Sequence, residues 1–182
     1  VVGIRARTCI VLVVACRVLT LLCISITGNH AHYSARWLLL TGGAADLGAG
    51  DDIVNLGTGA QVTSNILGGE DADSVTLGAG ANVGGNVDGG AGTDLVTLGD
   101  NATVSGQVVG GTEIDTLSFA GYTTARSILL TGVADGFTGT EASLNSGGAG
   151  GFTGIDEVIG SGASTDVLTS AVGGGVNALW LL

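Results

Sequence analysis

One short phrase returns at a fixed interval in this chain. It reads DIVNLG at 52, DSVTLG at 73, DLVTLG at 94 and DTLSFA at 115, each copy 21 residues after the last. Other positions keep the same step: Gly68-Gly69, Gly89-Gly90 and Gly110-Gly111, and Val62, Val83 and Val104. A unit this short cannot bury its own apolar side, so equivalent residues must stack coil upon coil into ladders. Within a unit the apolar residues alternate as in strands (Val75 and Leu77, Val96 and Leu98), and glycines mark turns every few residues. The expected fold is all-β, a parallel β-solenoid of the β-helix or β-roll kind with about 21 residues per coil. Its inward ladders are expected to be Val54/Val75/Val96/Leu117, Leu56/Leu77/Leu98/Phe119, Val62/Val83/Val104 and Ile66/Val87/Val108/Leu129.

Composition agrees with a folded repeat. Thirty-five glycines would suggest disorder in a polar chain, but 45% of the residues are hydrophobic and they fall in register. All 16 acidic residues lie between Asp46 and Asp166, and from Thr41 onward they face Arg126 alone, a formal balance of −15. Such a surface repels phosphate backbones, which disfavours nucleic acid as a partner, and attracts cations.

Three regions follow. Residues 1–40 are an apolar, basic segment outside the repeat, in which Arg5 and Arg7 precede a long apolar run broken by Arg17. That order fits an export signal or membrane anchor, helical in form, and equally a non-native extension; any membrane contact is expected through these residues only. Cys9, Cys16 and Cys23 all lie here, and the repeat has no cysteine, which suits an extracellular setting. His30 and His32 form an HxH pair without a nearby third ligand and read as solvated. Residues 41–130 are the regular solenoid. Residues 131–182 are a divergent, glycine-rich continuation, where the coil is expected to widen or carry a loop, and the absence of a polar cap after Trp180 reads as a truncated end of a longer protein.

The phrase GGAGTDLVT at 89–97 matches the nonapeptide G-G-x-G-x-D-x-U-x at every defined position. Its glycines allow a tight turn that aims carbonyl oxygens at one point, its aspartate adds charge, and its apolar residue enters the core. Residues 46 to about 119, and again 151–168, resemble the RTX or haemolysin-type family of secreted bacterial repeat proteins, and more loosely the large β-strand-repeat adhesins. The resemblance implies calcium held between stacked turns, with Asp52, Asp73, Asp94 and Asp115 at the metal positions beside Gly89, Gly90 and Gly92, and Asp166 in the place of the motif's aspartate. The other turns depart from the pattern: Leu47 replaces the first glycine, and Asp71 and Glu113 replace the fourth. Those acids either add ligands or spoil the turn. Each unit also has one such turn only, so one edge at most would bind calcium in series.

Stacking would set the four aspartates in a column about 4.8 Å apart, where each neighbouring pair repels by about 1 kcal/mol even in water. Either a cation neutralises the column, or each aspartate hydrogen-bonds backbone N–H groups of its own turn and stays solvated. The expected function is a structural or adhesive segment of a large secreted or cell-surface bacterial protein, an acidic rod that binds calcium and meets surface glycans or a neighbouring cell, and not an enzyme. Two alternatives remain: a polysaccharide-acting β-helix enzyme using Asp156, Glu157 or Arg126 beside Asp135, and an ice- or carbohydrate-binding face along Asn55/Thr76/Thr97/Ser118.

Overall fold

Each 21-residue unit runs straight three times and turns three times, because its apolar residues come in three short alternating runs separated by glycine. In the computed structural model these runs stack into three parallel sheets, and no helix occurs among the described residues, which are 20–21, 32–35, 39–40, 44–133, 135–144, 151–172 and 180–181. The first face is built from Ile53–Leu56, Ser74–Leu77, Leu95–Gly99 and Thr116–Gly121, the second from Gln61–Val62, Asn82–Val83 and Thr103–Val104, and the third from Ala45–Ala49, Ile66–Glu70, Val87–Ala91 and Val108–Thr112. The chain is therefore a parallel β-solenoid with a 21-residue coil.

Register between coils follows the repeat residue by residue as far as Ser118, after which one extra residue bulges out and Gly99 pairs with Gly121. Val54 lies beside Val75, Val75 beside Val96 and Val96 beside Leu117, all buried. On the second face Val62, Val83 and Val104 form the next ladder, and Ala60, Ala81 and Ala102 fill the tight corner before it. Ile66, Val87 and Val108 line the third face. A ladder of like side chains packs well because identical β-branched groups meet at one spacing on every rung.

One ladder ends differently from its expected course. Beside Val108 stands Phe152, not Leu129, which is 38% exposed. The reason is an insertion. After Thr116–Gly121 the chain leaves the coil and forms Ser127–Val133, which pairs antiparallel with Phe137–Thr140. That strand pairs antiparallel with Phe152–Ile155, which then rejoins the third face against Val108. The expected widening after residue 130 is thus a β-hairpin laid onto the third sheet, and the stacking resumes when Glu157–Ile159 pairs with Thr116–Ser118 on the first face.

The leading segment takes part too, although no phrase of the repeat is legible there. His32–Ala35 pairs in parallel with Ile53–Leu56, and Leu39–Leu40 pairs with Thr20–Leu21 on one side and Gln61–Val62 on the other. Cys9, Cys16, Arg17, Cys23 and His30 lie outside the described residues, as do the glycine-rich stretches 145–150 and 173–179. Among the described residues no helix is long and apolar enough to cross a membrane.

Leu98 is fully buried and its neighbour Thr97 faces outward. Leu98→Ala should cost about 2–5 kcal/mol in urea unfolding, and Thr97→Ala less than about 0.5 kcal/mol.

Candidate functional site: a buried carboxyl ladder

The aspartate that opens each phrase sits where the third face turns into the first. Its side chain points inward. The amide N–H of Asp52 donates to Asp73 Oδ1 at 2.8 Å, that of Asp73 to Asp94 Oδ1 at 2.7 Å, and that of Asp94 to Asp115 Oδ1 at 2.8 Å. Each carboxyl therefore caps the backbone of the coil before it. Asp52, Asp73, Asp94 and Asp115 are all buried, at 1–4% exposure. The second oxygen, Oδ2, of Asp73, Asp94 and Asp115 has no hydrogen-bond partner.

The glycine five residues earlier makes room for this. A methyl on Gly68 would come 2.3 Å from Asp73 Oδ2 and 2.2 Å from the Gly89 carbonyl oxygen, and one on Gly89 would come 2.3 Å from Asp94 Oδ2 and 2.6 Å from the Gly110 carbonyl oxygen. In the first coil Leu47, buried in the core, takes that place. The second glycine of each pair has another reason: Gly69, Gly90 and Gly111 adopt φ of +107° to +126°, where a side chain is strained.

At the fourth position of the turn, Asp71 and Glu113 keep the left-handed backbone of Gly50 and Gly92, each at φ 75°. A side chain there costs about 1 kcal/mol or more. Each acid offsets the strain by accepting an N–H from the coil before it, Asp71 Oδ2 from Gly50 and Glu113 Oε2 from Gly92, both at 3.0 Å. The substitutions therefore leave the turn intact.

Burial is the main cause that raises the carboxyls of Asp73, Asp94 and Asp115 above the ordinary range, opposed by the amide each one accepts. Asp73 and Asp115 are pushed up to about 6. The neighbouring charges are all negative and raise them further: Asp51, Asp52 and Asp94 around Asp73, Asp88 and Glu113 around Asp94, and Asp94, Asp156 and Glu113 around Asp115. A groove of about 490 Å³ lies along this corner, with Asp51, Asp52, Ala72, Asp73, Thr93 and Leu95 among the residues that line it.

Calcium takes about six to eight oxygens at 2.3–2.6 Å. The ladder does not fit that demand: one oxygen of each carboxyl is committed to an amide, and the other is sealed against a glycine Cα where a methyl group has no room. Among the described residues no group of three or more histidine, cysteine or acidic side chains could hold a metal ion. Of the two alternatives open from the sequence, the hydrogen-bonding one lies nearer the structure, with two changes. The N–H belongs to the neighbouring coil, and the carboxyl is buried, not solvated.

Two further parts complete the corner chemistry, of which the sequence had marked only Asp166 as standing in the place of the motif's aspartate. Asp156 forms the next rung, its Oδ2 accepting the Asp115 N–H at 3.0 Å although 41 residues, not 21, separate the two, and Asp166 does the same for the Arg126 N–H at 2.7 Å. A second, neutral ladder stands where the second face turns into the third: Asn65 Oδ1 accepts the Asn86 N–H at 2.9 Å, and Asn86 Oδ1 accepts the Gln107 N–H at 3.0 Å. The 21-residue recurrence of Asn65, Asn86 and Gln107 was its signal. Here too glycines give way, since a methyl on Gly85 would lie 2.1 Å from Asn65 Oδ1.

Arg126 pairs with Glu141 at 3.2 Å, not with Asp135, and lies 4.2 Å from the centre of the Tyr122 ring. Glu141 is buried and accepts from the Ser143 amide and hydroxyl, and Tyr122 donates to the Ala102 carbonyl at 2.6 Å. This cluster ties the inserted hairpin to the coil below it. Along the proposed hydroxyl face, Ser118 is buried, so the column Asn55/Thr76/Thr97 stops there. No family profile, curated protein or solved structure matches the chain.

Gly89→Ala should lower the thermal midpoint strongly, because the Gly110 carbonyl and the buried Asp94 carboxyl would both have to move, whereas Gly132→Ala, whose methyl would lie 3.5 Å from Thr138 Cβ, should leave it nearly unchanged. Arg126→Ala should cost about 3 kcal/mol in chemical unfolding, since it leaves Glu141 buried without its counter-charge.

Proposed function

We propose that this chain is a structural segment of a large secreted or cell-surface bacterial protein, acting as a stiff acidic rod whose outer faces meet surface glycans or a neighbouring cell. The observation that supports this reading most is the register of like residues from coil to coil between Ala45 and Leu117, held by backbone ladders on three faces and by two side-chain ladders at the corners. That design spends its polar side chains on joining coils. Asp52, Asp73, Asp94 and Asp115, the most regular acidic residues in the chain, are buried and engaged with one another's backbones.

The charge supports the same reading. The acidic residues outside the buried corner, with Arg126 the one basic residue from Thr41 onward, keep rods apart by repulsion and leave the outer faces hydrated, and a cysteine-free repeat suits an oxidising exterior. The resemblance to RTX repeats and adhesins points to export as well. The reading does not depend on calcium, because the ladder carboxyls already join coil to coil by accepting backbone amides.

Incubation with immobilised bacterial and host polysaccharides tests the proposal. Retention of the protein on the glycan, with no release of reducing sugar, is expected. Sugar release would overturn the structural reading in favour of an enzyme, and a lack of retention on any glycan or cell surface would remove the adhesive role.

A further inference from the structure

The two corner ladders do the same mechanical job with different chemistry. At one corner a neutral carboxamide of Asn65 or Asn86 accepts the N–H of the adjacent coil; at the other a titratable carboxyl does so. An asparagine there would have served the hydrogen bond equally well. Aspartate adds a second oxygen that is buried and without a donor: Asp73 Oδ2 and the Gly89 carbonyl oxygen each lie within 2.3 Å of where a methyl on Gly68 would stand, and Asp94 Oδ2 and the Gly110 carbonyl oxygen within 2.6 Å of one on Gly89.

A carboxylate oxygen buried without a donor is costly while charged, and a proton on it removes that charge. We propose that the ladder of Asp73, Asp94 and Asp115 is a proton-operated staple: in mild acid each carboxyl carries a proton on Oδ2, becomes a neutral donor facing the next coil, and tightens the solenoid, whereas at higher pH the buried column is charged and the coils are held less firmly.

Every charged group facing the column has the sign that favours this. Asp51 and Asp52 face Asp73; Asp88 and Glu113 face Asp94; Asp156 and Glu113 face Asp115; and the rungs face one another. Arg126 is engaged elsewhere, with Glu141. The carboxyls of Asp73 and Asp115 lie at about 6, above the 3.8 of an unfolded aspartate. A group whose folded value is raised contributes stability that is complete below the unfolded value and is lost as pH rises through the folded one. The window is therefore from about pH 4 to pH 6.5, and it runs opposite to ordinary acid denaturation.

The test is thermal unfolding of the whole chain between pH 4.5 and 8 in the presence of a chelator, comparing the wild type with Asp94→Asn and with the triple variant Asp73→Asn, Asp94→Asn, Asp115→Asn. Asparagine imitates the protonated acid, and outer-surface repulsion, which also relaxes in acid, is common to all three proteins. The wild type should melt on the order of 5 °C higher at pH 5 than at pH 7.5, with a smaller difference for Asp94→Asn and the smallest for the triple variant. Equal pH dependence in the wild type and Asp94→Asn would overturn the proposal. So would an excess of calcium in place of chelator, if it raised the wild-type midpoint at pH 7.5 and not that of Asp94→Asn. A second measurement does not depend on the variants folding: side-chain carboxyl carbon shifts of the wild type should show aspartates titrating near pH 6, and their absence there would refute the staple.

Discussion

Parallel stacking places each residue about 4.8 Å from its equivalent one coil away, and this spacing rewards some side chains and penalises others. Valine gains, because Val54, Val75 and Val96 meet at one distance on every rung and exclude water together. Aspartate loses, because a column of carboxylates at that spacing repels itself and, when buried, loses hydration as well. The architecture is a consequence of the first effect and the chemistry of the corner a consequence of the second.

The buried column persists because each carboxyl meets a need of the backbone. At a corner the chain turns out of one sheet before it enters the next, and its amide there would have no partner within the ladder. Asp73, Asp94 and Asp115 supply one from the following coil, and the glycines at 68, 89 and 110 let the carboxyl approach. The neutral Asn65/Asn86 ladder shows that the same need can be met without charge. The corners differ in direction, since each carboxyl accepts from the coil before it and each carboxamide from the coil after it, and in ionisation, which is why one of them can respond to protons.

The insertion shows how a solenoid tolerates irregularity. Between Asp115 and Asp156 the chain adds a hairpin, yet the rung is completed across it and Phe152 takes up the ladder of Val108. The hairpin is secured by a different device, the Arg126–Glu141 pair with Tyr122 against the guanidinium. A regular coil needs no such pin, since its neighbours hold it on both sides.

The period, the strand alternation and three of the four inward ladders were legible in the sequence, because a repeat displays its register directly: residues 21 apart are neighbours in space. Leu129 was misplaced for the same reason, since the period was carried past the point where the chain leaves the coil, and only the folded hairpin puts Phe152 in its stead. The aspartates were legible as a column but not in their direction. Sequence spacing gives the distance between equivalent side chains, whereas inward or outward rotation at a corner depends on how the turn closes and on which amide is left unpaired. Only the tertiary structure decided that these carboxyls are buried rungs between coils, and that Asp71 and Glu113 leave intact the turns they interrupt.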